Sequence, residues 1–289
     1  ARKLQRVPVP VFGGVVVYSG ILTGGLLLQA LMPNTTLAWG LVAITVMMII
    51  GTWDDMKDLS AKVRFLIEIL LLIGFIWITG TYIDNFHGLW GIHGLDPMVG
   101  IPLSVFMGLT VINAVNLIDG VDGYSSGYCM LACSCMALAF WSVWSLVMVC
   151  MALIVIAALI PFFMHNVFGQ RSRMFIGDGG TLMLGMMIVE MTFSAMSGKG
   201  KMYMLENDGV CIMAFLAAVG CIPLFDTLRV FLMRLLRGRS PFKPDKTHLH
   251  HLFIDMGFSH LGAALFILSI NLMVILIWLL TWKMGASME

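Results

Sequence analysis

Carboxylates occur in this chain in four short polar stretches set among apolar sequence. The first, GTWDDMKD (51–58), spaces Asp54, Asp55 and Asp58 as DDxxD. Residues four apart share a helix face, and acids so placed can hold Mg²⁺, which takes a few carboxylates together with phosphate oxygens. A solvated acidic loop balanced by Lys57, Lys62 and Arg64 is the plainer reading. The second stretch, NAVNLIDGVDG (113–123), follows Asp119 and Asp122 each with a glycine. Glycine lets backbone approach a ligand, and a polar break at membrane depth persists where it lines a cavity. A simple Asp helix cap is the alternative.

The third stretch, HNVFGQRSRMFIGDGG (165–180), puts Asp178 in a glycine-rich helix start. Such a start suits phosphate, and an Asp there can supply a metal that bridges phosphates, or merely cap the helix. The fourth, RGRSPFKPDKTHLHH (237–251), sets Arg237, Arg239, Lys243 and Lys246 ahead of His248, His250 and His251. Histidine moves protons or donates to phosphate. The H-x-H-H run is not a zinc spacing, and a basic loop against anionic headgroups is the competing reading.

These loops need helices to position them. The chain has 289 residues, 60% hydrophobic and 11% charged, against about 25% charged in a soluble domain. That composition predicts an all-α integral membrane protein with a single polytopic domain over 1–289. A membrane helix needs about 20 mostly apolar residues. Nine segments qualify: 11–32, 37–53, 63–80, 97–116, 124–141, 144–164, 180–197, 209–235 and 260–282. They are too long and continuous for barrel strands. The net charge of +1 gives no sign of a nucleic-acid partner. The six cysteines lie in apolar runs with no CxxC pair or Cys/His ligand spacing, and read as small helix residues.

Alternating the segments across a bilayer sorts the loops. One side receives residues 1–10, 54–62, 117–123, 165–179 and 236–259; the other receives 33–36, 81–96, 141–144, 198–208 and the C-terminus. Of the 17 Lys and Arg, fourteen fall nearest the first side and three (Lys199, Lys201 and Lys283) nearest the second. The positive-inside rule makes the first side cytoplasmic. All four polar stretches then converge on one membrane face. Carboxylates with Mg²⁺ and cationic side chains are what phosphoryl transfer requires, and this face is where a lipid phosphate meets a soluble nucleotide. Glu68, Glu190 and Asp226 fall inside helices, where an acid is a functional candidate. Glu68 and Asp226 are near enough to Arg64 and Arg229 to pair, and Glu190 has no evident task.

With these stretches in hand, the chain resembles the polyprenyl-phosphate N-acetylhexosamine-1-phosphate transferases. The matching segments are RKLQRVPVPVFGG (2–14), GTWDDMKDLSAK (51–62), NAVNLIDGVDG (113–123), FIGDGGT (175–181) and GRSPFKPDKTHLHH (238–251). They are collinear and cover nearly the whole chain. DDxxD alone is a weak signal, whereas the ordered set is specific. The GRSPF…PD…HLHH segment is similar to the branch that transfers GlcNAc-1-phosphate rather than to the MurNAc-pentapeptide branch, which shows a His-His-His run.

The resemblance implies attack of undecaprenyl phosphate on the β-phosphorus of a UDP-N-acetylhexosamine, with UMP leaving, as the first step of a cell-surface glycan. It implies Mg²⁺ on Asp178, with Mn²⁺ as the alternative. Asp54 and Asp55 would lie beside the lipid phosphate, and Asn116, Asp119 and Asp122 would line the nucleotide-sugar site. Phe175 would stack on uracil, and Asn166 would contact the diphosphate or the metal. Arg239, His248, His250 and His251 would bind phosphate or sugar; of the site acids and histidines, Asp54, Asp55, Asp119 and His248 are those expected to take part in the chemistry. A multi-pass protein of the bacterial cytoplasmic membrane, contacting membrane lipids and able to form a homodimer, is implied as well.

The resemblance also implies a further helix and a D-x-P before residue 1, for ten or eleven in all. Gln5 and Val11 stand where the family has His and Arg, and Arg64 and Glu68 where many relatives have a Lys…Gln pair. Two other classes compete. An aromatic prenyltransferase would need an Asn-Asp opening and a second DxxxD motif, and a CDP-alcohol phosphotransferase an Ala-Arg after Asp122-Gly123; neither is present. A transporter would call for midplane acids and repeated halves, and no repeat is visible.

Overall fold

A computed structural model of the chain describes residues 12–57, 59–169, 174–206, 210–238 and 247–284. Among these, nine long helices occur where the apolar segments predict them: α1 (Gly13–Leu31), α2 (Thr35–Lys57), α3 (Ala61–Thr79), α4 (Pro97–Leu117), α5 (Tyr124–Ser142), α6 (Leu146–Phe168), α7 (Gly177–Met196), α9 (Ile212–Leu236) and α11 (His260–Lys283). Two short helices, α8 (Tyr203–Glu206) and α10 (Leu249–Asp255), were not expected from the sequence. Four and seven residues are too few to set up a helical apolar period. No strand occurs among the described residues, only an isolated bridge between Asn85 and Gly94.

Seven of the long helices are apolar and long enough to cross a membrane; α3 and α5 are not among them. Lys62, Arg64 and Glu68 crowd the first two turns of α3, and α5 opens on Tyr-Ser-Ser-Gly. Outward side chains such as Trp77, Phe106 and Leu138 are exposed and apolar, which suits contact with lipid rather than water. The fold is thus an all-helical polytopic membrane bundle.

Local chemistry sets the helix starts. Asn34 Oδ1 accepts from the N–H of Leu37 at 2.9 Å, Asp96 from Met98 at 2.8 Å with Pro97 following, and Ser259 from Gly262 at 3.1 Å. Each satisfies an N–H that has no partner within its helix. Pro223 inside α9 has no N–H to give the Val219 carbonyl. Asn271 of α11 inserts there, donating to Val219 O at 3.1 Å and accepting from Ile222 N at 3.3 Å. That exchange repairs the break and fastens α11 to α9.

α7 runs through the centre and is buried at every position from Gly179 to Met191. It packs chiefly on α2 and α4. Between helices in lipid, association depends on close van der Waals packing, so small residues gather where backbones meet. Gly51 of α2 faces Gly179, and a Cβ on Gly185 would come within 2.7 Å of the Ile112 Cα in α4. These contacts bring the ends of α2 and α4 to the start of α7.

Candidate functional site

The first Gly-Asp of α7 is the meeting point of three helices. Gly177 enters at φ 71, a left-handed conformation that a side chain disfavours, and so aims the next amides outward. The N–H groups of Asp178 and Gly179 donate to Asp55 Oδ2 at 2.9 and 3.4 Å. A carboxylate therefore sits where the partial positive charge of the α7 N-terminus is greatest. From the end of α4, Asn116 Nδ2 donates to Asp178 Oδ1 at 2.8 Å and to Thr181 Oγ1 at 2.9 Å. Asp55 is exposed at the bundle end, and Asp178 is part-exposed beside it.

Asp119 and Asp122 lie in the turn between α4 and α5. Asp119 accepts from the Ser125 hydroxyl. Burial pushes its carboxyl up to about 7; the Ser125 bond opposes this, while the charges of Asp178, Asp122 and Asp55 add to it. These aspartates thus repel one another, and a cation would relieve the repulsion. Asp122 Oδ2 is 3.6 Å from His260 Nδ1. Gly123 closes the turn at φ 80 and donates its N–H to Asn166 Oδ1 at 2.8 Å. Asn166 Nδ2 donates in turn to the Met174 carbonyl at 2.9 Å. Asn166 staples the α4–α5 turn to the segment leading into α7, and Phe175, next along, accepts from Gly13 N–H at 3.0 Å through its carbonyl.

Asp54 turns the other way. It is buried, accepts from Leu59 N–H at 2.7 Å, and pairs with Arg64 at 3.0 Å. Arg64 also lies 3.5 Å from Glu68, and Asn113 Nδ2 donates to Glu68 Oε2 at 2.7 Å. The expected Arg64–Glu68 pairing is present. Asn113 is absorbed in this group, while Asn116, almost one helical turn on, serves Asp178.

The histidines reach the same end through α10. A Cβ on Gly120 would collide with the His250 ring, so His250 lies directly on the acidic turn. Burial, followed by the charges of His251 and His248, pushes the His250 imidazole down to about 3 and holds it neutral. His251 lies 4.2 Å from His250 between ring centroids. His248 Nδ1 is 2.9 Å from Asp226 Oδ2, and Asp226 also pairs with Arg229 at 2.7 Å. Arg239 and Asp58 lie outside the described residues. Thr181, the last residue of FIGDGGT, and Ser125, just past NAVNLIDGVDG, hold Asn116 and Asp119 and were not singled out by the sequence.

Among the described residues no three His, Cys, Asp or Glu side chains gather to hold a metal by themselves. The Asp178 region fits instead an ion held by one or two carboxylates with phosphate oxygens completing the shell, the habit of Mg²⁺.

Fold and site together define a polytopic helical membrane protein with a carboxylate-rich polar site at one end of the bundle. Residues 37–196, from α2 through α7, match the family model described as glycosyl transferase family 4. The Escherichia coli (strain K12) undecaprenyl-phosphate alpha-N-acetylglucosaminyl 1-phosphate transferase is 30% identical over 267 residues, covering 89% of this chain and 68% of that protein. A Bacillus subtilis (strain 168) protein named probable undecaprenyl-phosphate N-acetylglucosaminyl 1-phosphate transferase is 30% identical over 288 residues, 96% of this chain and 77% of the relative. The Yersinia pestis protein bearing the Escherichia coli name is 27% identical over 263 residues, 89% of this chain and 69% of its own length. The chain belongs to glycosyl transferase family 4.

Proposed function

We propose that this protein transfers an N-acetylhexosamine-1-phosphate, GlcNAc-1-phosphate in the first instance, from a UDP-sugar to undecaprenyl phosphate. The observation that carries the reading is the convergence of Asp55, Asn116 and Asp178 on the α7 N-terminus, in a family-4 chain whose relatives bear that transferase name. An oxygen of the lipid phosphate would form a bond to the β-phosphorus of the nucleotide sugar. The bridging P–O bond would break, and UMP would leave with that oxygen. The attacking phosphate is already largely ionised near neutrality, so a strong base is not required.

Asp178, oriented by Asn116, is the residue we assign to hold Mg²⁺, with Asp55 beside it. The ion would neutralise phosphate oxygens and so lower the cost of bringing two anions together. Asp55 is the exposed member of the Asp54–Asp55 pair and the one we assign to the lipid phosphate; Asp54, committed to Arg64, supports the end of α2. Asp119 and Asp122 would face the nucleotide sugar, Phe175 the uracil, and Arg239 and the histidines the phosphates. Asn166 would set the distance between the acidic turn and the α7 entrance. The Lys and Arg asymmetry supports placing this end at the cytoplasmic face of a bacterial inner membrane, with the product feeding a cell-surface glycan.

The test is incubation of the purified, folded protein with Mg²⁺, undecaprenyl phosphate and a panel of UDP-sugars. UMP release with UDP-GlcNAc is expected. Its absence with every sugar would sink the proposal, and release with a different sugar would correct the donor.

A further inference from the structure

Asp226 of α9 belongs to none of the acidic stretches at the α7 entrance, yet it is 3% exposed and saturated with donors. Its Oδ1 accepts from Arg229 Nη2 at 2.7 Å and Nε at 3.3 Å, and from the Leu249 N–H at 3.1 Å. Its Oδ2 takes His248 Nδ1 at 2.9 Å and shares the Leu249 N–H at 3.1 Å. Arg229 also donates to the Thr247 carbonyl at 2.6 Å. The carboxylate therefore holds the ring and the backbone after His248, and its partner Arg229 holds the backbone before it.

The tautomer follows from that network. A carboxylate only accepts, so the His248 proton lies on Nδ1 and Nε2 is the ring's open position. Nε2 is buried and has no hydrogen-bond partner among the described residues. An orphaned buried nitrogen is costly, and its orientation is held by a second buried group, which points to a ligand atom that meets it. The His248 ring lies parallel to His250 at 5.9 Å and 6°, and His250 rests on Gly120 beside Asp119. Of these stacked rings, His250 is held neutral, whereas His248 has a carboxylate at 2.9 Å to balance a positive charge. The other titratable groups around the pair are Arg229 on α9, His251 on α10, His260 on α11 and Tyr124 at the start of α5.

We propose that Asp226 is a positioning residue for the transfer reaction, locking His248 so that Nε2 carries a proton to a phosphoryl oxygen of the nucleotide sugar. This rests on the transferase reading above. The proton comes from solvent and returns to it, and no bond forms between histidine and phosphorus. In Asp226→Asn the remaining oxygen would still be claimed by Arg229 and the Leu249 amide. The new NH₂ would face Nδ1 and force it to accept, so the ring could not hold a second proton, and the neutral Nε2–H would be too weak an acid to pass its proton on.

A double-mutant cycle tests this, with UMP release from UDP-GlcNAc as the readout. Asp226→Asn should lower turnover about 100-fold with the UDP-GlcNAc KM within about threefold, because the effect lies in the chemical step rather than in donor binding. His248→Ala should fall similarly. Asp226→Asn added to His248→Ala should then cost nothing further, whereas a merely structural role would cost the same factor in both backgrounds. Where Asp226→Asn does not fold, ¹⁵N-histidine spectra of the wild-type protein serve instead. They should show His248 protonated at Nδ1, with the Nε2 resonance shifting on addition of UDP-GlcNAc. Additive losses, full activity in Asp226→Asn, or a neutral ring protonated at Nε2 would overturn the dyad while leaving the transferase reading intact. A wild-type protein that releases no UMP overturns both.

Discussion

Two groups of acids share one end of the bundle and differ in how their charge is met. Asp54 and Glu68 enclose Arg64, with Asn113 donating to Glu68 and accepting from Arg64. Asp55, Asp119, Asp122 and Asp178 instead act on one another, and their main partners are backbone amides, Ser125, Asn116 and a histidine at 3.6 Å. The first group shares one cation and is largely buried, as befits a strut. The second gathers carboxylates around a helix N-terminus, with Asp55 at its exposed edge, and is the arrangement on which the proposed function rests. Adjacent residues, Asp54 and Asp55, belong to different groups because successive positions on a helix point about 100° apart.

The comparison can be broken most sharply at Asp178. Asp178→Asn should lower turnover by about 10³-fold or more and abolish the response to Mg²⁺, while thermal unfolding in detergent stays close to wild type. Near-normal activity would remove Asp178 from the metal role. Arg64→Met should behave in the opposite way. Leaving Glu68 buried without its cation costs about 3 kcal/mol, so the melting temperature should drop while turnover of the folded fraction changes little. A variant that melts normally but has lost turnover would move Arg64 into the site.

A smaller effect concerns pH. The Asp119 carboxyl is pushed above its ordinary 3.8 to about 7, so the folded protein holds that proton more tightly than the unfolded chain. Its contribution to stability is fully present below about pH 3.8 and is lost as pH rises through about 7. In EDTA, melting temperature should therefore fall between pH 5 and 8. Asp119→Asn should flatten that slope, and added Mg²⁺ should oppose it. An unchanged slope in the variant would assign it to another group.

The smallest expected effect lies at the far end of α7. Glu190 is 1% exposed, packs on Gly40, and neither carboxyl oxygen has a hydrogen-bond partner among the described residues. Twelve residues separate it from Asp178, about 18 Å along the helix. Glu190→Gln should leave turnover within about twofold and should not lower the melting temperature, because no bond is broken. A large loss of activity would show that the contrast between the two ends of α7 is drawn in the wrong place.

Much of this could be read from the chain itself. Long apolar runs located nine helices, seven of them apolar and long enough to cross a membrane, because lipid demands length and continuity of each span. The Gly-Asp and Asn motifs marked the residues that meet at α7, since polar groups persist among apolar helices only where something satisfies them. α10 and α8 escaped notice because they are shorter than the signal that would betray them. Asp226 was legible as a partner of Arg229, three residues away, but not of His248, twenty-two residues on, because the bond depends on the return of the chain onto α9.

The sequence by itself determined the class of protein, the long helices and the inventory of acids and histidines, since composition and hydrophobic length are local properties. Only the tertiary structure decided which acids lie against a guanidinium and which lie against one another. Charge compensation is a matter of distances of about 3 Å between residues from different helices, and helix packing alone sets those distances. Asp54 and Asp55, or Asn113 and Asn116, are alike in type and close in sequence, and their packing partners place them in the Arg64 group or at the α7 entrance.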